Sequence, residues 1–370
     1  MKVGIITFHN AHNFGASLQT WALQKVLQKT GFDASIIHYH PDIIDDLYNP
    51  YKVSNPNFIK SSLQKLRLKV RPVGRERILR YKRYTDFITE NFRLIGDFKN
   101  YEELSNANLD LDAYITGSDQ VWNCDHTNGF DPAYFLEFAP ETAIKLSYAA
   151  SIGKNHIAPE FIEKYKKSLE SFDAISIREE STKELVSTLT TLPVNVVLDP
   201  TLLLDKDAYD EIKSFPDPGE KYILVYMMEH NKELIQFADK LSVALGRPII
   251  QRRPFKHFKN ELKSCFTCTP GEFLGLIEHA DYVITNSFHG TVFSLIYQKP
   301  FVSMLHSDTG ARTADLLKSL GEEQHLLYSV DEFRDMKQFE IKDPERLEKN
   351  IQDLRTTSLK YLQDTLSTTK

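Results

Sequence analysis

Cysteine is scarce. Three thiols, Cys124, Cys265 and Cys268, in 370 residues cannot staple a chain of this size, which excludes a disulfide framework and points to a reducing compartment. Long apolar runs are missing too. The opening MKVGIITFHN is shorter than the 7–15 apolar residues of a signal sequence, and nothing approaches the roughly 20 of a membrane span. The expectation is a cytoplasmic protein. There is no basic excess: 45 Lys and Arg stand against 51 Asp and Glu, a net charge of −6, which argues against a general nucleic-acid binder. G-x-G-x-x-G, G-x-x-x-x-G-K-[ST], G-x-S-x-G and H-E-x-x-H do not occur, so the standard dinucleotide, P-loop, serine-hydrolase and zinc-protease signatures are excluded. No repeat of fixed period and no low-complexity tract is visible.

What remains is an ordinary globular composition, 41% hydrophobic and 26% charged. At roughly 150 residues per domain, this length predicts two domains. Val3 to Phe8 reads as a buried strand, the loop to Gly15 as a polar connection, and Leu18, Trp21, Ala22, Val26 and Leu27 as a helix face closed by Gly31. Ala34 to Tyr39, Asp112 to Thr116, Ser147 to Ile152, Ala174 to Ile177 and Val194 to Leu198 are further strand candidates, and Ser181 with Glu184 reads as a capping box. A boundary is expected in 205–220, where Pro216, Pro218 and Gly219 cluster. Then come a strand at 222–227, a helix at 232–245, a strand at 248–251, a helix at 270–280, a strand at 282–285, a helix at 290–298 and a last strand at 301–304. This alternation predicts α/β architecture with two Rossmann-like domains facing a cleft. The domains are expected at 1–205 (acceptor side) and 206–342 (donor side), with a helical tail at 343–370 reaching back across the linker.

Residues 60–83 stand apart. They hold ten Lys and Arg and the single acid Glu76, so the rest of the chain carries −15. Pro72 and Gly74 are expected to break this stretch, with a helix following from Tyr81. The segment reads either as a solvated face or as a contact for anionic lipid headgroups, which would put the protein peripherally at the inner face of the membrane.

Three places could carry chemistry. Strand 282–285 delivers Asn286-Ser287-Phe288-His289-Gly290-Thr291 to a helix start. There an imidazole, free N–H groups and the helix dipole make either an anion site with a group able to move a proton or a plain structural cap histidine. Arg178 ends a strand and suits a carboxylate or phosphate, or else pairs with Glu179 or Glu180. Asn13, Gly15 and Ser17 offer hydrogen bonds and close backbone approach at the first strand's carboxyl end, or plain capping. Weaker signals are read blandly: Cys265-x-x-Cys268 is a lone pair, His38 and His40 are strand-end residues without a carboxylate at clear spacing, and Asp110-x-Asp112 is a chance D-x-D in an acidic chain.

Together these stretches resemble the polysaccharide pyruvyl transferase family. The likeness rests on NFGASLQTWAL, ITGSDQVWN at 115–123, SYAASIG at 147–153, SIREE at 176–180, VLDPTLLL at 197–204, VITNSFHGTVFSLIYQKPFV at 283–302 and GARTADLLKSLG at 310–321. It spans residues 3–321, in order. The resemblance implies a GT-B-like fold, phosphoenolpyruvate as donor substrate, a glycan acceptor that is free or lipid-linked, and a pyruvate ketal as product, with no metal or cofactor. By position it implies His289 as the catalytic histidine and Arg178 as a donor-binding arginine. Some members carry an arginine two residues before that histidine; Ser287 stands there in this chain, and Arg312 is the substitute. Ser287, Gly290 and Thr291 complete the expected donor side, and Asn13, Gly15, Ser17, Ser118 and Asp119 the acceptor side. Two alternatives stay open: a GT-B glycosyltransferase using a nucleotide sugar, and a non-catalytic glycan-assembly protein.

Overall fold

The structure, a computed structural model, describes residues 1–52, 70–253, 256–307 and 310–367. Its first half runs β1 (Lys2–Ile6), α1 (Phe14–Lys29), β2 (Asp33–Tyr39), α2 (Asp42–Tyr48), α3 (Pro72–Asn91), β3 (Leu94–Phe98), α4 (Tyr101–Ser105), β4 (Ala113–Thr116), β5 (Ile144–Ser147), α5 (Pro159–Leu169), β6 (Ile175–Ile177), α6 (Lys183–Ser187) and β7 (Val194–Val196). The second runs β8 (Ile223–Tyr226), α7 (Lys232–Leu245), β9 (Ile249–Gln251), β10 (Glu261–Ser264), α8 (Pro270–His279), β11 (Tyr282–Thr285), α9 (Phe288–Ile296), β12 (Phe301–Met304), α10 (Ala311–Leu320), β13 (Leu326–Leu327) and α11 (Pro344–Leu366).

The first sheet has the order β3-β2-β1-β4-β5 and the second β10-β9-β8-β11-β12-β13, with parallel pairing throughout. Each thus grows outward from its first strand and then reverses, the doubly wound pattern. The parallel pair β6–β7 joins the first sheet through bridges from Leu146 to Ala174 and from Ala150 to Ile177. The architecture is α/β, two Rossmann-like sheets, as the alternating pattern predicts.

The two halves share one apolar core. α1 is buried on nearly every side, because α8 covers the face turned away from the first sheet. Phe14 stacks on Phe273 with centroids 4.5 Å apart and lies 5.7 Å from Tyr226. Two further ties cross between the halves. From α3, Arg80 donates to the Phe266 carbonyl at 3.0 Å and Arg83 pairs with Glu272 at 2.7 Å. From the carboxyl side, α11 returns to the first half. Ser358 accepts from the Leu198 N–H at 3.0 Å, Arg355 donates to the carbonyls of Leu202 and Leu204, and Tyr361 donates to that of Ser147. α11 thus packs back against the first half.

Several expectations are corrected. Pro72 does break the basic stretch, opening α3 after the extended Arg71 where its missing N–H costs nothing, but Gly74 lies inside the helix, which starts at Pro72 rather than near Tyr81; residues 60–69 lie outside the described residues. Strand 147–152 is found at 144–147, the chain bending where Ala149 takes φ +51°. Ser181 caps no helix; its N–H goes to Asp315, and the capping box belongs to Thr269 and Glu272 at the start of α8. Strand 301–304 is followed by the short β13, and α9 starts at Phe288 rather than Gly290. No described helix is long and apolar enough to cross a membrane.

His12 links this packing to acid stability. Its ring lies stacked on Tyr84 and on Tyr48. Burial, reinforced by the Arg80 charge, lowers its pKa from 6.5 to about 3. A depressed histidine is protonated in the unfolded chain before the folded one. Its contribution is therefore whole above pH 6.5 and drains as pH falls toward 3, at about 1.4 kcal/mol per pH unit. Chemical unfolding of wild type and His12→Phe between pH 4 and 7 should show a shallower acid slope in the variant; equal slopes would refute the assignment.

Candidate functional site

In doubly wound sheets ligands collect where the strand order reverses, because loops on either side of that point leave in opposite directions. Here the switch points lie between β1 and β4 and between β8 and β11, and the two face each other. A cavity of about 390 Å³ sits between them, lined by Asn13 after β1, Asp119 and Gln120 after β4, Met228 after β8, and Ser287 and His289 after β11, with Arg312 from α10. Asn286 holds the loops together. Its side chain accepts from Met228 N–H at 2.8 Å and donates to the Glu229 carbonyl at 2.9 Å. A second cavity of about 680 Å³ continues past Arg312 and Lys154, which line both.

Ser287 caps α9 by accepting from Gly290 N–H, which puts His289 in the first helical turn. The imidazole is 7% exposed. A Cβ built on Gly15 would lie 2.1 Å from His289 Nδ1, so the imidazole occupies space that only glycine leaves at that point of α1. On its other side, Nε2 is 3.6 Å from Asp199 Oδ2.

Asp199 is 2% exposed and serves several partners. Arg178 Nη1 donates to it at 2.9 Å, Ser118 at 3.2 Å, and the Thr201 hydroxyl at 2.6 Å. Burial alone would raise this carboxyl, but His289 and Arg178 beside it and the Thr201 hydrogen bond hold it well below the usual carboxylate range. It stays ionised. Arg178 is pushed the other way: Glu179, Asp199 and Asp119 outweigh the burial and keep it charged. Its Nε donates to Glu179 at 3.2 Å, and its Cζ lies 4.8 Å from the Phe288 ring centre. The buried Arg178 Nη2 and Glu179 Oε2 have no hydrogen-bond partner among the described residues. Arg312 stacks on Phe288 as well, at 5.5 Å. Burial, with Arg178 adding to it, lowers its pKa to about 10, so it too is charged near neutrality.

Of the residues picked from the sequence, Asn13, Asp119, Ser287, His289 and Arg312 meet in the cavity. Gly15 touches His289 instead of a ligand. Asn13 caps α1, accepting from Gly15 N–H at 2.9 Å, and Asp119 takes φ +73°, a left-handed conformation that Asp tolerates better than most residues. Arg178 and Ser118 do not line the cavity. They lie beneath it around Asp199, so Arg178 is the buried pairing arginine of the second reading, although with Asp199 as well as Glu179. Gly290 packs on Thr285 and Tyr226, and Thr291 donates to Ser303, so both face the sheet. Ser17 is fully buried.

The motifs read blandly separate as well. Asp110 pairs with Lys2, and Asp112 accepts from the Lys2 N–H, at the amino ends of the strands and away from the cavity. Cys265 and Cys268 are buried, and their hydrogen bond, together with burial, raises the Cys268 thiol.

The sequence model of the polysaccharide pyruvyl transferases matches residues 13–308, well over half of the chain. The protein belongs to the polysaccharide pyruvyl transferase family. No curated protein sequence matches it significantly. Among solved structures, it is similar to the N-terminal domain of trehalose-6-phosphate phosphatase from Candida albicans (11% identity, 99% of this chain and 96% of that one, TM-score 0.49). It is also similar to UDP-GlcNAc 2-epimerase from Neisseria meningitidis bound to UDP-GlcNAc (12%, 99% and 99%, 0.48) and to an α,α-trehalose-phosphate synthase from Burkholderia vietnamiensis (10%, 99% and 98%, 0.47). Likenesses this distant say nothing of what the chain does.

For a polysaccharide pyruvyl transferase, the residues missed in sequence are informative. Asp199 looked like the residue where a strand ends before Pro200, and Phe288 like a loop residue ahead of the helix expected at 290–298. One signal was available: an acid directly before proline, inside a family-like stretch, in a chain with a buried arginine to neutralise.

Proposed function

We propose that this member transfers the three-carbon unit of phosphoenolpyruvate onto two hydroxyls of a glycan acceptor, forming a pyruvate ketal and releasing phosphate. The observation that carries the proposal is His289, held against Asp199 in a half-enclosed cavity that Arg312 also lines. A trianion-like donor needs cations and N–H donors in a site of reduced dielectric. Arg312, Lys154 and the first turn of α9 supply these, so charge neutralisation is assigned to side chains rather than to a metal ion.

His289 gives a proton to C3 of the donor, turning the methylene into a methyl group as C2 gains oxocarbenium character. The first sugar hydroxyl forms a bond to C2. The C2–O bond to phosphate breaks, and the second hydroxyl closes the ketal. Of the two hydroxyl protons, one replaces that lost by His289 and the other leaves with phosphate. Asp199, held ionised, stabilises the imidazolium and orients it. Arg178 is proposed to act from below, fixing Asp199 and Asp119. Acceptor hydroxyls are assigned to Asn13 and Asp119, with the adjoining cavity past Lys154 open to the rest of the glycan.

The test is a thermal shift with phosphoenolpyruvate, UDP and GDP, each alone, on wild type and Arg312→Ala. A ligand at a hundred times its Kd stabilises by about 2.7 kcal/mol. The expected result is a shift with phosphoenolpyruvate that Arg312→Ala removes. A shift with UDP or GDP only would replace this reading by nucleotide-sugar transfer, and no shift with any of them would favour a non-catalytic role.

Gly15→Ala gives a further check. The added methyl collides with the imidazole while suiting a helix better than glycine does. Turnover should fall about a hundredfold from misplacement of the histidine, with the circular dichroism spectrum unchanged. Unaltered turnover would mean that the position of His289 does not matter to the chemistry.

A further inference from the structure

The histidines at the carboxyl end of β2 were read from the sequence as bare strand-end residues, and the fold gives them company. His38 in β2, His40 just past its end and Asp97 in the adjacent β3 each place a ligand atom within 4.8 Å of the others. His40 Nε2 is 2.6 Å from Asp97 Oδ1. None of the three lines the cavity described above.

The hydrogen bonds behind this cluster decide which ring nitrogens face it. His9 Nδ1 lies 3.2 Å from the Thr7 carbonyl, which only accepts, so that nitrogen carries the hydrogen and His9 Nε2 is the acceptor. His38 Nδ1, 2.9 Å from it, is therefore the donor, leaving a lone pair on His38 Nε2. His40 Nδ1 donates to Asp45 at 2.7 Å, which likewise leaves Nε2 to point at Asp97. Two imidazoles with their rear nitrogens tied to an acceptor, beside one carboxylate, is the arrangement by which proteins orient metal ligands.

We propose that His38 Nε2, His40 Nε2 and Asp97 bind a zinc-like divalent ion with a fourth position open to water. Tetrahedral zinc with bonds near 2.0–2.1 Å separates its ligands by about 3.3 Å. The carboxylate must back away from His40 by less than 1 Å, which its 71% side-chain exposure allows, and the widest pair of ligand atoms, within 4.8 Å, must close by up to about 1.5 Å. The ion takes the place of the proton shared between His40 and Asp97. It has a structural consequence because Asp45, which orients His40, sits on α2, as do Ile44, Leu47 and Tyr48 of the cavity wall. Ion binding clips α2 to the end of β2 and stiffens one wall of the transfer site.

The test uses the untagged, chelator-stripped protein dialysed against Zn²⁺, with bound metal counted by mass spectrometry, and the Co²⁺ absorption spectrum of a parallel sample. Wild type should hold one ion per chain, raise its melting temperature, and show Co²⁺ ligand-field bands without sulfur charge transfer. Asp97→Asn changes an exposed side chain and should fold normally, yet bind at least tenfold more weakly; His38→Gln should lose the ion. Asp45→Asn should weaken binding about 10- to 100-fold through orientation alone. Equal binding by wild type and Asp97→Asn, a thiolate charge-transfer band placing the ion at Cys265 and Cys268, or no ion retained by wild type would each overturn the proposal. None of these readouts depends on transferase activity.

Discussion

Replacing Asp199 by alanine lowers the melting temperature by on the order of 10 °C. Removing one partner of a buried ion pair costs about 3–5 kcal/mol, because the remaining charge is left uncompensated, and in domains of this size each kcal/mol moves the midpoint by about 2–4 °C. Arg178 would keep Glu179 at 3.2 Å and Asp119 at 3.9 Å but lose its shortest contact. Thr201 and Ser118 would lose an acceptor in the same step. Asp199→Asn is the control. It keeps an oxygen for Thr201 and fills the same space, but sets an NH₂ where Oδ2 accepted from Arg178 and Ser118, so its melting point should fall too, without a cavity, while its activity falls as far. Calorimetry on both variants checks this, and an unshifted alanine variant would show that Asp199 does not hold Arg178 in place.

His289→Gln leaves the cavity wall in place and removes the only group there assigned to move a proton. On the proposed reaction, kcat should fall by roughly 10² to 10⁴, the usual weight of general acid catalysis. The thermal shift with phosphoenolpyruvate should persist, because Arg312 and Lys154 are untouched. Phosphate release under saturating donor and acceptor measures the first, and differential scanning the second. Retained turnover would remove His289 from the mechanism, and loss of the shift as well would recast it as a binding group.

Much of this site was legible in the chain. The helix at 232–245 and the strand at 282–285 are found where their patterning put them, because each is a long apolar-periodic segment with an Asn cap or an unbroken buried run. Asn13, Ser287, His289 and Arg312 converge because each lies in the segment or helix that follows the carboxyl end of a strand. What stayed hidden depends on partners distant in sequence. β3, β10 and β13 are short edge strands with one neighbour each, and LIGDF or ELKS carries no apolar run to announce it. Arg178 gave no sign that its acid would come from Asp199, twenty-one residues on, since strand pairing between β6 and β7 alone brings them together. The carboxylates beside His40 come from α2 and β3, so no spacing in the chain reveals them.

The return of α11 has a consequence for how the protein is made. The buried Leu198 N–H finds its acceptor in Ser358, 160 residues later, and the carbonyls of Leu202 and Leu204 likewise wait for Arg355. A nascent chain leaving the ribosome cannot finish its first half in order of synthesis. That half must stay partly open, with apolar surface bare, until the second sheet has been translated and α11 arrives, so cellular demand for chaperones should last through most of elongation.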